Sequence, residues 1–128
     1  MLRAVPALLA ALALIAAGCG GESTTGRDGS DVAKGEELFV SGCGTCHTLA
    51  DAGTKGQVGP NLDDAFGFAR EQCFDDSSFF DVTLSQIEIP SRDGAMPPDI
   101  YTGQDAVNVA AYVARVAGSD RRCAKADE

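Results

Sequence analysis

The 128-residue chain is 45% hydrophobic but only 6% aromatic, which suits one globular domain whose core is thin for its size. Nineteen Asp and Glu against ten Lys and Arg leave a formal charge of −9, and that acidity argues against the basic face that nucleic-acid binding requires. With a single His and five Cys, the chain is also poorly supplied for a zinc site, which needs four protein ligands or three plus water.

Residues 1–18 read as a targeting leader. Arg3 is its only charge, and Ala7 to Ala17 is an unbroken small and apolar run, shorter than the roughly 20 residues a bilayer span needs. The run ends at Ala16-Ala17-Gly18-Cys19, which resembles the lipobox of bacterial lipoproteins, with Ala16 where that motif prefers Leu. By that resemblance cleavage leaves Cys19 as the lipidated first residue; the alternative is ordinary cleavage near Ala17 with Cys19 incidental. Both place the mature chain outside the cytoplasm. Loss of Arg3 with the leader moves the charge from −9 to −10.

Residues 19–30 form a Gly, Ser and Thr tract without apolar periodicity, the composition of a flexible tether. The expected domain runs from 31 to 123, with 124–128 a tail. Its first helix starts at Ser30 or Asp31 as N-cap and runs to about Ser41, with Val32, Gly35, Leu38 and Phe39 on one side.

Immediately after it stands Cys43-Gly44-Thr45-Cys46-His47. C-x-x-C followed directly by His is the spacing for covalent attachment of a haem c: two thiols one turn apart add to the two vinyl groups of a porphyrin, and the adjacent imidazole becomes the proximal iron ligand. The competing readings are a thioredoxin-like redox pair and half of a zinc site.

Residues 48–61, with Gly53, Gly56, Gly59 and Pro60, read as a loop. Helices follow over about Asp63 to Gln72 and Ser77 to Ile87, the latter with Asp75 and Asp76 at its positive end. Val82-Thr83-Leu84 and Ile87-Glu88-Ile89 have β-type composition, but a lone strand there would lack a partner. Three prolines and Gly94 make residues 90–99 an irregular loop around Met96. A final helix, capped by Thr102 or Gln104, runs to about Ala117, with Gly118 as terminator.

With Cys19, Cys43 and Cys46 assigned, Cys73 and Cys123 remain. An even pair in an oxidising compartment suggests a disulfide closing about fifty residues, on the order of 4 kcal/mol in the chain-entropy model; the alternative is two unpaired buried thiols. For a second axial ligand the chain offers no other His, and Met96 is the one Met beyond the leader. A lone Met is commonly core filler, but this one sits between Gly94 and Pro97-Pro98, where prolines stiffen the loop.

From Asp31 to Gly118 these residues resemble the small monohaem, class I c-type cytochromes, in a bacterial lipoprotein form. Lys34 to Phe39 match the N-terminal helix, Cys43 to His47 the haem motif, Gly59-Pro60-Asn61-Leu62 the proline loop and Gly94 to Pro98 the methionine loop. The resemblance implies an all-α cytochrome c fold in which N- and C-terminal helices cross, Gly35 and Phe39 meeting Val109 and Tyr112. It implies one haem c, with iron between His47 and Met96 and the Pro60 carbonyl accepting from the imidazole. Phe39, Leu62 and Tyr101, with Phe66, Phe68, Leu84 and Ile89, would pack the porphyrin. The Cys73 and Cys123 pair and the acidic run from Asp75 are departures from the general pattern.

The function implied is single-electron transfer between extracytoplasmic respiratory partners, since iron with two axial side chains has no open position for substrate. An acidic carrier favours redox proteins with basic docking surfaces, with membrane attachment through the Cys19 lipid and Lys55 and Arg92 as local positive contacts. The rival class is a haem sensor or peroxidase-like enzyme in which Met96 is labile or absent from the iron.

Overall fold

A computed structural model describes residues 29–91 and 94–124. The leader, Cys19, the tether before Gly29 and Arg92 therefore lie outside the described residues. In chain order the elements are α1 (Val32–Ser41), a 3-10 turn at Cys43–Thr45, β1 (Thr48–Leu49), β2 (Thr54–Lys55), α2 (Leu62–Glu71), α3 (Asp76–Glu88), α4 (Gly103–Val116) and a 3-10 turn at Ser119–Arg121. Helix α4 is the central element and packs on both α1 and α3.

Helix α1 is opened by Asp31, whose carboxylate accepts the Lys34 N–H at 3.0 Å, satisfying one of the first-turn donors. Ser30, the other cap candidate, is fully buried instead, and its hydroxyl has no hydrogen-bond partner among the described residues. The crossing of α1 on α4 centres on Gly35. A Cβ at Gly35 would collide with the Asn108 carbonyl oxygen and lie 2.6 Å from the Asn108 carbonyl carbon and 2.9 Å from Tyr112 Cβ. Only a residue without a side chain permits that approach. One turn on, the Phe39 and Tyr112 rings meet at 5.9 Å between centroids, tilted by 57°. Asn108, 5% exposed, ties the start of α1 to α4: its Oδ1 accepts from the Asp31 N–H at 2.9 Å and from Gln104 Nε2 at 3.0 Å.

Residues 48–61 are not a loop throughout. Thr48 pairs with Lys55 and Leu49 with Thr54 in a two-rung antiparallel ladder, closed by a turn with Gly53 at φ 64°. Side chains complete it: Thr54 Oγ1 accepts from Leu49 N at 3.1 Å and donates to His47 O at 2.9 Å, while Thr48 Oγ1 donates to Gly56 O at 2.8 Å. Apart from this ladder the helical class expected from the sequence is the observed one.

Asn61 caps α2 by accepting the Asp63 N–H at 3.0 Å, and Asp63 and Asp64 occupy its positive end. Helix α3 begins at Asp76, one residue ahead of the expected start, and runs through the segment of β-type composition to Glu88. Burial of Phe79 and Ile87 outweighs the propensity of the branched residues, and Thr83 satisfies its own hydroxyl by donating to Phe79 O at 2.7 Å. Phe66 of α2 meets Phe79 edge-on at 5.2 Å. Helix α4 stops at Gly118, which takes the left-handed conformation at φ 61°.

Beyond it the chain turns back over α2. Cys123 is joined to Cys73 as a disulfide with Cα atoms 5.4 Å apart, and both cysteine N–H groups donate to the Arg70 carbonyl, at 3.2 and 3.0 Å. The Arg70 side chain, 2% exposed, runs inward. Its guanidinium lies 4.1 Å above the Phe79 ring, donates to Ala117 O at 3.0 Å and to Ala114 O, and pairs with Asp76. It satisfies carbonyls that the end of α4 leaves without intrahelical partners.

Two outcomes follow from the crossing. Gly35→Ala inserts a Cβ into the Asn108 backbone and is expected to cost about 2 kcal/mol, read from the urea midpoint. Tyr112 donates to Asp51 Oδ1 at 2.7 Å, and burial first, then that bond, push its phenol above the ordinary 10.0. The folded state therefore keeps a proton that the unfolded chain sheds above about pH 10, so stability falls as pH rises beyond that value. Tyr112→Phe is expected to lose about 1 kcal/mol at neutral pH and to flatten the alkaline decline, measured by unfolding between pH 8 and about 11.

Candidate functional site

The end of α1 delivers the haem-type motif. Gly42 N–H bonds back to Leu38 O at 3.0 Å, and the Tyr101 hydroxyl also donates to Leu38 O, at 2.8 Å, while sitting 3.1 Å from Ser41 Oγ. Tyr101 thus locks the last turn of α1 just ahead of Cys43. The next turn is tight: Cys46 N and His47 N both donate to Cys43 O, at 3.1 and 2.9 Å. One turn therefore carries both thiols and the imidazole.

Cys43 is buried, Cys46 half-buried, and they are not bridged to each other. Burial, and secondarily the neighbouring Cys46, push the Cys43 thiol up from 9.0 to about 11, so it stays protonated at neutral pH and is a poor disulfide nucleophile. Among the described residues no three His, Cys, Asp or Glu are grouped to hold a metal ion.

His47 Nδ1 lies 2.8 Å from the Pro60 carbonyl oxygen. A carbonyl only accepts, so for the neutral ring Nδ1 carries the proton and Nε2 keeps its lone pair, the state an imidazole needs to bind a metal. Two further contacts hold this pairing. Gly59 N donates to Cys46 O at 2.8 Å, and a Cβ at Gly59 would lie 2.8 Å from His47 Nδ1, so glycine alone lets the loop lie flat against the ring. The residues fit a haem c: two free thiols on one turn and an imidazole in the metal-binding tautomer.

The remaining expected residues lie on other elements. Met96 and Leu62 are partly buried and pack on the core, and Met96 Sδ receives a long contact of 3.9 Å from Gln86 Nε2 of α3. Phe39 is 1% exposed, enclosed in the α1–α4 crossing beside Tyr112. Phe66 and Leu84 are partly buried against the core, whereas Phe68 and Ile89 are exposed by 71% and 77%. Lys55 is exposed at the end of β2. A separate cavity of about 820 Å³, between the start of α1, the α2–α3 connection and α4, is lined by Val32, Phe74, Phe80, Arg115 and Cys123 among others; none of Cys43, Cys46, His47 or Met96 reaches it.

Residues 30–113 match the family described as cytochrome c oxidase, cbb3-type, subunit III. The chain belongs to that family of c-type cytochrome domains. The fold is also similar to the crystal structure of the c-type cytochrome SorU from Sinorhizobium meliloti, at 35% sequence identity and a TM-score of 0.51, over 68% of this chain and 91% of that one. The all-α cytochrome c fold is thereby established, and with it a c-type cytochrome role in electron transfer. Such domains hold haem c with iron.

Three residues with cross-segment contacts were not anticipated. Thr54 braces the His47 carbonyl across the ladder, Arg70 ties α2 to the end of α4, and Asp63 accepts from Ala50 N at 2.8 Å and Gly118 N at 2.9 Å. Each makes its contact with a segment distant in sequence or in an unexpected ladder, so no spacing pattern announces it. Gly59→Ala is expected to force the imidazole away from Pro60 at a cost of about 1–3 kcal/mol and to lower the haem-to-protein ratio, quantified by the pyridine haemochrome spectrum.

Proposed function

We propose that this cytochrome carries one haem c, held by thioethers to Cys43 and Cys46, with His47 as proximal and Met96 as distal iron ligand, and that it is an electron carrier rather than an enzyme. The observation that carries the reading is the 2.8 Å pairing of His47 Nδ1 with Pro60 O, which leaves Nε2 free on the same turn as two unbridged thiols. When bound, a haem supplies one-electron exchange between ferric and ferrous iron. The protein's own residues set the terms of that exchange. Pro60 fixes the ring orientation and makes the imidazole a stronger donor, whereas a thioether from Met96 favours the ferrous state. Leu62 and Tyr101, beside Phe66 and Leu84, exclude water from the site, and Phe39 supports it through the helix crossing.

Outside the domain we read Cys19 as a lipid anchor and residues 19–30 as a tether, which places the cytochrome on the extracytoplasmic side of a membrane. Among the described residues no helix is long and apolar enough to cross a bilayer. The Cys73–Cys123 bridge suits that oxidising compartment. Its partners are redox proteins of a respiratory chain with basic docking surfaces, between a membrane quinol-oxidising complex and a terminal oxidase or reductase.

Met96→Ala tests the axial assignment. In the ferric protein the weak absorption at about 700 nm should vanish, and the reduced protein should bind carbon monoxide rapidly where the wild type resists it. If the band survives the substitution, Met96 is not the ligand; rapid, complete carbon monoxide binding by the wild type supports the sensor or peroxidase-like class instead.

A further inference from the structure

Resting on the reading of His47 as the proximal ligand, we propose that Asp63 is a positioning residue that holds the His47 imidazole against the Pro60 carbonyl. The two ends of that hydrogen bond belong to different segments. The imidazole is carried by the motif turn, which continues into β1 and Ala50, and the carbonyl precedes Asn61, the cap of α2. Asp63 joins them. Its Oδ2 accepts from Ala50 N at 2.8 Å, three residues beyond His47, while its own N–H donates to Asn61 Oδ1 at 3.0 Å, one residue beyond Pro60. Its Oδ1 takes a third segment, accepting from Gly118 N at 2.9 Å where α4 ends.

Without Asp63, the two segments are linked near the ring mainly by Gly59 N to Cys46 O and by Thr48 Oγ1 to Gly56 O, both on the motif-proximal side of Pro60. Those bonds lie upstream of Pro60, and the Asp63 carboxylate supplies a second point, on its downstream side. A carboxylate is required because both N–H groups point at one side chain, and an ionised carboxylate accepts at both oxygens while donating at neither. Asp64, its neighbour, has no such role: it pairs with Arg121 at 2.8 Å on the exposed side of α2.

The ferrous holoprotein provides the test, through hydrogen–deuterium exchange of the His47 Nδ1 proton followed by NMR, alongside reduction potential and thermal midpoint. Asp63→Ala should accelerate that exchange at least tenfold and raise the potential, because a weaker bond to Pro60 makes the imidazole a poorer donor to ferric iron. Asp63→Asn retains one acceptor of two and should fall between wild type and Asp63→Ala; it also serves if the alanine variant does not take up haem. Asp64→Ala should leave exchange and potential unchanged even if it lowers the thermal midpoint. If Asp63→Ala or, failing that, Asp63→Asn lowers the midpoint but leaves exchange within twofold of wild type, Asp63 is structural only and the proposal is overturned. Failure of the underlying reading is separate: it would show in the wild type, as a haem lacking a His47 ligand.

Discussion

The close approach of α1 to α4 at Gly35 is the constraint on which the placement of everything else depends. The motif turn has its own local hydrogen bonds, but these say nothing about where it sits relative to the rest of the chain. That position is set by α1, which enters the motif after Gly42, and α1 is set by backbone-to-backbone packing on Asn108. With only 6% aromatic residues available, the domain relies on short interhelical distance rather than bulky side chains at this crossing. Phe39 and Tyr112 then fill the angle that Gly35 opens, and Tyr101, from beyond the Met96 loop, donates to the Leu38 carbonyl in the last turn of α1. Displacing the crossing would therefore move Cys43 and Tyr101 together.

The opposite end of α4 is held by different physics. There a buried guanidinium replaces apolar packing: Arg70 satisfies two carbonyls of α4, an acid from α3 and the face of Phe79, while its own carbonyl receives both disulfide cysteines. Buried ion pairs add little net stability, since desolvation offsets attraction, but an unpaired one is costly. Arg70 thus ties α2, α3 and the end of α4 together, and its guanidinium would be costly to bury without those partners. The disulfide limits the unfolded chain in the same sense, by tying the segment after α4 to the end of α2.

Features governed by local chemistry were legible from the residues alone. The motif spacing, the Asp31 start of α1, the Gly118 stop and the irregular Met96 loop each follow from a few neighbouring positions, and helix limits came within one or two residues, although the Asn61 cap of α2 was not among the expected ends. The Gly35 crossing was legible only through family resemblance, which pointed to Val109 and Tyr112; the tightest contact is with the Asn108 backbone, which carries no side-chain signature. Asp63 and Arg70 were invisible for a related reason. As a first-turn acid and a last-turn base they look like ordinary helix-dipole partners, and their working contacts, Gly118 and Ala117, lie 55 and 47 residues away. The ladder was missed because two rungs between glycines have too few residues to establish alternation, and threonine side chains supply bonds that strand pairing alone would not.

Charge placement sharpens what an acidic carrier presents to its surroundings. Of the cations in the described residues, Lys34 is paired with Glu37, Arg121 with Asp64 and Arg122 with Asp76, and Arg70 is enclosed. Exposed pairs contribute little to stability, but each one cancels a positive charge at the surface. What projects into solvent is then an excess of carboxylates with Lys55 and Arg115 exposed among them, a net negative field. Such a field falls off over about 8 Å at physiological salt, so it aligns a basic partner only during the last approach. Under the proposed carrier role that placement is apt, because steering raises the encounter rate without requiring the buried contacts that would slow release.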